Sequence, residues 1–294
     1  MRVLTYTVPL EEDGRMVKGI LRGDLQLSYT LLKSLKWREN AILLNGQSVR
    51  VNAIVHAGDV VSVALSERAT REDPYCANAA KPDILYEDDD LLVLNKPAGI
   101  AMHPKAGDVS APSLAAMLTN YLGEGSVPHF VSRLDKGTSG LLIAAKSGYV
   151  HDRLRRALHS DNLRREYRAV AVGAVVPERG IIDAPIGRAG GSIIRRCVRA
   201  DGLPSLTEYE VLQTNERFTL LRLCPQTGRT HQLRVHMAHL GHPLAGDWLY
   251  GTEDKTLIAR PALHSYELWF TQPVTGQELH FTAPVPQDMQ RLMD

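Results

Sequence analysis

The sequence predicts an α+β fold, because strand-like and helix-like patterns both recur along its 294 residues. Short apolar runs at 91–94 and 141–145 have the length and composition of buried strands. Elsewhere apolar residues recur at helical spacing, as Leu114, Met117 and Leu118 do, which predicts an amphipathic helix. A chain with both patterns is expected to form a sheet that buries one or both faces against helices.

The composition is typical of a globular protein, with 44% hydrophobic and 23% charged residues. The three scattered cysteines predict a reducing compartment without disulfides. No apolar run approaches the ~18 residues of a membrane helix, and the acidic run 11–13 comes too early for a signal peptide. We therefore predict a cytoplasmic monomer that does not bind a membrane. The net charge of +1 means that a nucleic-acid partner would require positive charge concentrated on one face.

The chain is predicted to divide into a small N-terminal module at 1–66, a linker at 67–82 and a main domain at 83–294. The two predicted helices of the module carry apolar stripes at Met16, Ile20 and Leu21 and at Leu31, Leu32 and Leu35. Asn45-Gly46 then predicts a tight hairpin, because both residue types accept positive φ. The linker is predicted from its charge, its Ala and Asn content and its two prolines.

Positive charge is concentrated in two stretches. Residues 151–168 include six arginines and only three acidic residues. Ser147 is a predicted N-cap, so we expect a basic helix to begin there and to continue toward Arg164. A second cluster lies in a Gly-rich segment at 188–199. Arginine favours phosphate binding because it makes bidentate contacts, although a solvated surface would show the same pattern. The predicted contacts to the nucleic-acid backbone are Arg153, Arg155, Arg156, Arg164, Arg165, Arg195 and Arg196.

A candidate catalytic carboxylate, Asp135, lies between Arg133 and Lys136 and is followed by a Gly-Thr-Ser-Gly turn. The turn leads into the predicted buried strand 141–145, and loops held by rigid strands often carry catalytic groups. The flanking cations would keep the carboxylate ionised. Taken alone, however, such a segment is more often a solvated charged turn.

Three strings change this interpretation. They are RLDKGTSGLL at 133–142, REYRAVAVG at 165–173 and GRTHQLRVH at 228–236. In this order, within residues 83 to 286, they resemble the motifs of the RluA-type pseudouridine synthases, which isomerise uridine in ribosomal or transfer RNA. Residues 1–66 resemble the αL RNA-binding module that is often fused to this family.

The resemblance implies a pseudouridine synthase fold, in which helices and loops flank a central mixed, largely antiparallel sheet. It implies that Asp135 is the nucleophile, that Arg234 holds it, and that Tyr167 stacks on the target base and assists proton transfer. Arg133 would fill the space that the flipped base vacates. Neither a cofactor nor a metal is implied, and His231, His236, His239 and His242 fit no metal-ligand spacing.

Two alternatives remain open from the sequence. A nucleobase glycosylase could use the same carboxylate but would release free uracil. A non-catalytic RNA-binding or ribosome-assembly factor would use only the basic faces. The RNA partner is expected to be ribosomal RNA, with transfer RNA as the alternative. Whether Asp135 attacks the ribose, attacks carbon 6 of uracil, or initiates elimination of a sugar proton also stays open.

Overall fold

The computed structural model describes residues 2–65, 80–104, 111–123, 126–158, 160 and 162–294. Besides a 3-10 helix at Leu10–Glu12, its N-terminal part contains six elements in the order β1 (Val3–Thr7), α1 (Val17–Gly23), α2 (Tyr29–Leu35), β2 (Ile42–Leu44), β3 (Gln47–Ser48) and β4 (Val60–Ala64). These strands form a four-stranded antiparallel sheet in the order β1-β4-β2-β3.

The predicted elements of the N-terminal module are largely confirmed. Asn45 and Gly46 have φ of 49° and 81°, as the tight hairpin requires. The first helix differs from the prediction: Met16 precedes it and is 52% exposed, whereas Val17 faces the core. The reason is that Met16 has extended backbone and acts as the N-cap. The likeness of this module to the αL type remains a prediction.

Residues 66–79, most of the predicted linker, lie outside the described residues. The remaining elements follow in the order β5 (Ile84–Glu87), β6 (Leu91–Lys96), α3 (Leu114–Leu122), β7 (His129–Phe130), β8 (Ser139–Ala145), α4 (Gly148–Ala157), β9 (Leu163–Val172), β10 (Arg179–Asp183), β11 (Ile186–Arg188), β12 (Arg196–Val198), β13 (Leu206–Thr214), β14 (Phe218–Pro225), α5 (Gln232–His239), β15 (Leu263–Thr271), β16 (Glu278–Thr282) and α6 (Gln287–Gln290).

A ten-stranded sheet organises this main part of the chain, in the order β10-β13-β14-β9-β15-β8-β6-β5. Strand β16 also pairs with β15, and β7 with β8. The β15–β8 pair is parallel, and the other pairs of this sheet are antiparallel. The predicted α+β class with a mixed, largely antiparallel sheet is therefore confirmed.

The prediction that the basic helix continues toward Arg164 is wrong. Helix α4 begins after its N-cap Ser147 and ends at Ala157. Arg164 and Arg165 instead lie on β9, paired with Trp269 and Leu268 of β15. Pairing with β15 extends β9 across this basic segment, so the two arginines belong to the sheet and not to the helix.

Strand β8 lies deep in the sheet, and all seven of its residues are buried. It closely approaches β15 at Gly140, which has φ of +107°. A Cβ atom at this position would lie 2.1 Å from the carbonyl oxygen of Ser265. Only glycine fits such a contact, so Gly140 fixes the start of the strand that follows the Asp135 loop.

We expect Gly140→Ala to lower the free energy of unfolding by about 3 kcal/mol or more, because both backbone strain and a backbone clash oppose the methyl group. Gly276→Ala is the matched control, since Gly276 also has positive φ (+74°) but open space around its Cα. It should cost only about 1 kcal/mol. Denaturant unfolding measures both, and equal losses would show that the contact with Ser265 is easily relieved.

Candidate active site

The loop that carries Asp135 is fixed through its backbone. The amide of Thr138 donates to the carbonyl of Asp135 at 3.0 Å, and the amide of Gly99 donates to the carbonyl of Lys136 at 2.8 Å. These bonds close the turn and attach it to the segment after β6. Asp135 therefore stands on a loop that is held on two sides.

A buried lysine strengthens this attachment. Lys96 is fully buried, and its Nζ donates to the carbonyls of Pro97, Ile100 and Lys136 at 2.9, 2.9 and 3.3 Å. Burial lowers the pKa of Lys96 to about 8, which leaves the ammonium form predominant at neutral pH. The three hydrogens of that ammonium match the three carbonyls, so Lys96 joins two loops at the base of the site.

Arg234 of α5 connects Asp135 to a second, buried carboxylate. Its Nη1 donates to Oδ2 of Asp135 at 3.1 Å, while its Nε and Nη2 donate to the two carboxylate oxygens of Asp247, both at 2.7 Å. Burial alone would lower the pKa of Arg234, but the bonds and charge of Asp247 outweigh it and raise the pKa. Arg234 is thus permanently charged and held mainly by Asp247.

Asp247 itself is fixed by its own turn. It is fully buried, and its Oδ1 also accepts from the amides of Leu249 and Tyr250 at 3.1 and 3.2 Å. The guanidinium of Arg234 lies 5.1 Å from the ring centroid of Tyr250. The arrangement leaves Asp135 with a single hydrogen bond from Arg234 and a side chain that is 28% exposed.

The Asp135 side chain faces a cleft of about 740 Å³. Arg133, Tyr167 and Arg234 line the same cleft. Residues 165–173 alternate as a half-buried strand does, which predicts Tyr167, Ala169 and Ala171 on one face. In the structure Tyr167 lies on β9 and is 6% exposed, with Ala169 and Ala171 on the same apolar face. The structure therefore brings the three predicted catalytic residues together, while their chemical roles remain predictions.

The predicted RNA-binding arginines separate into two groups. Arg155 and Arg165 line the cleft with Arg133. The others do not line it: Arg153, Arg156, Arg164, Arg195 and Arg196. Arg153 donates to the hydroxyl of Tyr149 at 2.9 Å and Arg156 pairs with Asp152, so both are engaged on α4 itself. The phosphate-binding role is therefore best supported by position for Arg155 and Arg165.

The four histidines that suggested a metal site do not converge. His231 lines the cleft, and His236 is buried within hydrogen-bonding distance of Thr207 and Ala184. His239 is exposed on α5, and Nδ1 of His242 lies 3.0 Å from the carbonyl oxygen of Val172. Within the described ranges, no group of three or more histidine, cysteine or acidic side chains could hold a metal ion.

Among the helices in the described part of the chain, none is long and apolar enough to cross a membrane.

Sequence reasoning missed Asp247 and Tyr250. The segment 95–99, which contains Lys96, resembles the first motif of the family, but the sequence assigned Lys96 no role. Lys96 had one usable signal, because it is the single charge at the end of a run that is otherwise apolar or amide. Asp247 follows Gly246, whose φ is +70°, and therefore resembles an ordinary turn residue. No spacing rule connects it to Arg234, so its pairing required the structure.

Comparison with known proteins gives one consistent result. The family model described as RNA pseudouridylate synthase matches residues 90–239. The uncharacterized RNA pseudouridine synthase YjbO of Bacillus subtilis is 38% identical over 92% of this chain and 96% of its own length. The ribosomal large subunit pseudouridine synthase D of Vibrio cholerae is 40% identical over 97% of this chain and 92% of its own.

A solved structure agrees with these relatives. Human RNA pseudouridylate synthase domain containing 1 superimposes with a TM-score of 0.57 and 28% identity, covering 69% of this chain and 83% of the human one. The matched family segment contains Asp135, Tyr167 and Arg234. The chain therefore belongs to the RluA-type family of RNA pseudouridine synthases, which are isomerases.

Proposed function

We propose that this enzyme isomerises uridines of large-subunit ribosomal RNA, with Asp135 as the nucleophile and the target base flipped out of its stack. The observation that carries the proposal is the single hydrogen bond from Arg234 to Asp135 at the edge of the cleft. One carboxylate oxygen is held while the other stays available. A carboxylate in this state suits covalent catalysis at a glycosidic centre.

The reaction requires no redox step and no group from a second substrate. The N-glycosidic bond breaks, the uracil rotates, and carbon 5 joins the same ribose carbon. Asp135 would attack the ribose, attack carbon 6 of uracil, or initiate elimination of a sugar proton. Arg234 would orient Asp135 in each case through its hydrogen bond. Tyr167 lines the cleft, where it would stack on the base and assist proton transfer at carbon 5.

Access to the cleft requires the uridine to leave its helix, which costs a few kcal/mol. Arg133 lines the cleft two residues from Asp135, and it would fill the vacated position. Arg155 and Arg165 lie on the cleft wall, where they can bind phosphates beside the target. A ribosomal target is supported by relatives of this chain that are named for the large ribosomal subunit. Transfer RNA is the alternative target.

The proposal is tested by mapping pseudouridines in total RNA from a deletion strain and from its parent. We expect at least one site in large-subunit ribosomal RNA to be lost and to return with the purified protein alone. Return without added metal or cofactor also tests the expectation that none is needed. Loss of a site only in transfer RNA would assign the alternative target, and release of free uracil would assign a glycosylase.

We further propose that the protein is a cytoplasmic monomer. Light scattering tests its oligomeric state, and cell fractionation tests its location.

The cleft arginines supply a separate prediction. The double substitution of Arg155 and Arg165 by Ala should weaken RNA binding and make the salt dependence shallower, by about 1.4 in the slope of log K against log salt for two single-strand phosphate contacts. The matched control replaces Arg153 and Arg156, which share α4 but do not line the cleft. A slope unchanged from that of the wild type would show that Arg155 and Arg165 are merely solvated.

A further inference from the structure

His231 has an unusual backbone conformation at the edge of the active site. It is the N-cap of α5 and has φ of 58° and ψ of 19°, which is the left-handed region. Non-glycine residues adopt this region infrequently, because the Cβ crowds the backbone. Such strain persists when surrounding contacts enforce it, and it is concentrated at functional sites.

The surrounding contacts that enforce the conformation come from Gln232, which is 4% exposed. Its Oε1 accepts from the hydroxyl of Thr227 and the amide of Arg229 at 2.8 and 2.9 Å. Its Nε2 donates to the carbonyl oxygen of Leu206 and to the hydroxyl oxygen of Thr207, both at 3.0 Å. The loop that leads into His231 is thereby fixed from both sides, so the ring of His231 is directed by the fold.

The ring of His231 is held through Nδ1, which lies 2.8 Å from the hydroxyl of Tyr250. That hydroxyl already accepts from the backbone amide of Arg196 at 2.9 Å. The single hydrogen of this hydroxyl can be directed at Nδ1. Donation in that direction leaves the hydrogen of a neutral ring on Nε2, and this is the tautomer in which His231 can donate toward the cleft.

The other nitrogen faces the nucleophile. Nε2 of His231 lies 3.9 Å from Oδ1 of Asp135, the oxygen that Arg234 does not hold. This distance is too long for a hydrogen bond, but it lets a bound substrate place the atom under attack near Oδ1 and a neighbouring acceptor atom about 3 Å from Nε2. His231 also lines the cleft. Burial lowers the pKa of His231 and outweighs the charge of Asp135, which raises it, so the neutral ring predominates at pH 7.

A neutral donor at this position matches the charge that the reaction develops. Cleavage of the glycosidic bond leaves electron density on the uracil ring and its carbonyl oxygens. Attack at carbon 6 instead places that density on the carbonyl at carbon 4, and elimination again leaves a uracil anion. All three routes therefore create an anionic uracil oxygen, and fixed donors aimed at such an oxygen give large rate enhancements.

We propose that His231 is a further catalytic residue, which donates a hydrogen bond from Nε2 to a uracil carbonyl as negative charge develops there. No proton is transferred in this step. Tyr250 fixes the ring tautomer and acts as a positioning residue. The inference rests on the proposed function, since it requires a uracil beside Asp135.

The test compares His231→Ala, His231→Gln and His231→Gly with the wild type, on RNA extracted from a strain that lacks the gene. We expect the single-turnover rate of His231→Ala to fall by about 10²-fold to 10³-fold, with the RNA dissociation constant changed less than about threefold. His231→Gln, which can place an N–H near the position of Nε2, should recover about tenfold of that loss. His239→Ala on the same helix is the control, because His239 is exposed and away from the cleft.

His231→Gly separates catalysis from folding. Glycine relieves the left-handed strain, so its midpoint of thermal unfolding should equal or exceed that of His231→Ala, while its rate should be as low. Rates of His231→Ala and His231→Gly within threefold of the wild type would overturn the inference, as would a rate loss matched by an equal loss of RNA affinity. Absence of pseudouridine with the wild-type protein would instead overturn the proposed function itself.

Discussion

Asp135→Asn should abolish pseudouridine formation while leaving RNA binding almost unchanged. Asparagine has the same shape, and its amide oxygen can still accept from Nη1 of Arg234, the contact that Oδ2 of Asp135 makes at 3.1 Å. It carries no charge and is therefore a poor nucleophile toward carbon. We expect the rate to fall by roughly 10⁴-fold or more, as occurs when a covalent nucleophile is removed.

The measurement is single-turnover isomerisation of RNA from the deletion strain, together with a filter-binding titration of the same RNA. Asp183→Asn is the matched control, since Asp183 is an exposed aspartate at the end of β10, away from the cleft. Activity of Asp135→Asn within tenfold of the wild type would assign the nucleophile elsewhere. Loss of RNA binding together with activity would show that Asp135 contributes to affinity.

The elements that sequence reasoning placed well are those with strong local patterns. Strand β8 was recognisable because five consecutive apolar residues, 141–145, follow a turn. Helix α3 was recognisable because Ser113 precedes a helical stripe, and its hydroxyl indeed accepts from the amide of Ala116. In both cases the determining interactions lie within a few residues, so the sequence contains them.

The error at Arg164 has the opposite cause. An exposed arginine suits the outer face of a helix as well as that of a strand, so its pattern did not distinguish the two. Pairing with Trp269, more than a hundred residues away in the chain, decided the structure. Tertiary pairing of this kind overrides local propensity, and no local signal reports it.

In the active site too, local motifs were predictable and contacts between distant segments were not. Motif resemblance supplied Asp135, Tyr167 and Arg234, which the fold brings to one cleft. Asp247 follows Arg234 by 13 residues and contacts it across a turn. Asp247 binds the Nε and Nη2 atoms of the Arg234 guanidinium. Arg234 therefore makes only one hydrogen bond to Asp135, from Nη1. A motif records residue types and spacing but not how one arginine divides its hydrogen bonds.

Arg234→Met should lower both activity and stability, because Arg234 neutralises Asp247 at a fully buried position. Removing one partner of a buried pair leaves an uncompensated charge, which costs about 3–5 kcal/mol of unfolding free energy. Activity should also fall by at least about 10²-fold, since a nucleophile displaced by ~1 Å loses that much. Urea unfolding and single-turnover isomerisation measure the two effects separately.

The double variant Arg234→Met with Asp247→Asn distinguishes the two roles of Arg234. The Asp247→Asn change removes the buried charge but keeps an oxygen for the amides of Leu249 and Tyr250, which bond to Asp247 in the wild type. We expect the double variant to be more stable than Arg234→Met alone, with a coupling of about 1–3 kcal/mol. Its activity should stay as low as that of the single variant, because Asp135 still lacks its donor. Recovery of activity along with stability would mean that Arg234 serves only the fold, and the proposed orientation of Asp135 would have to come from another group.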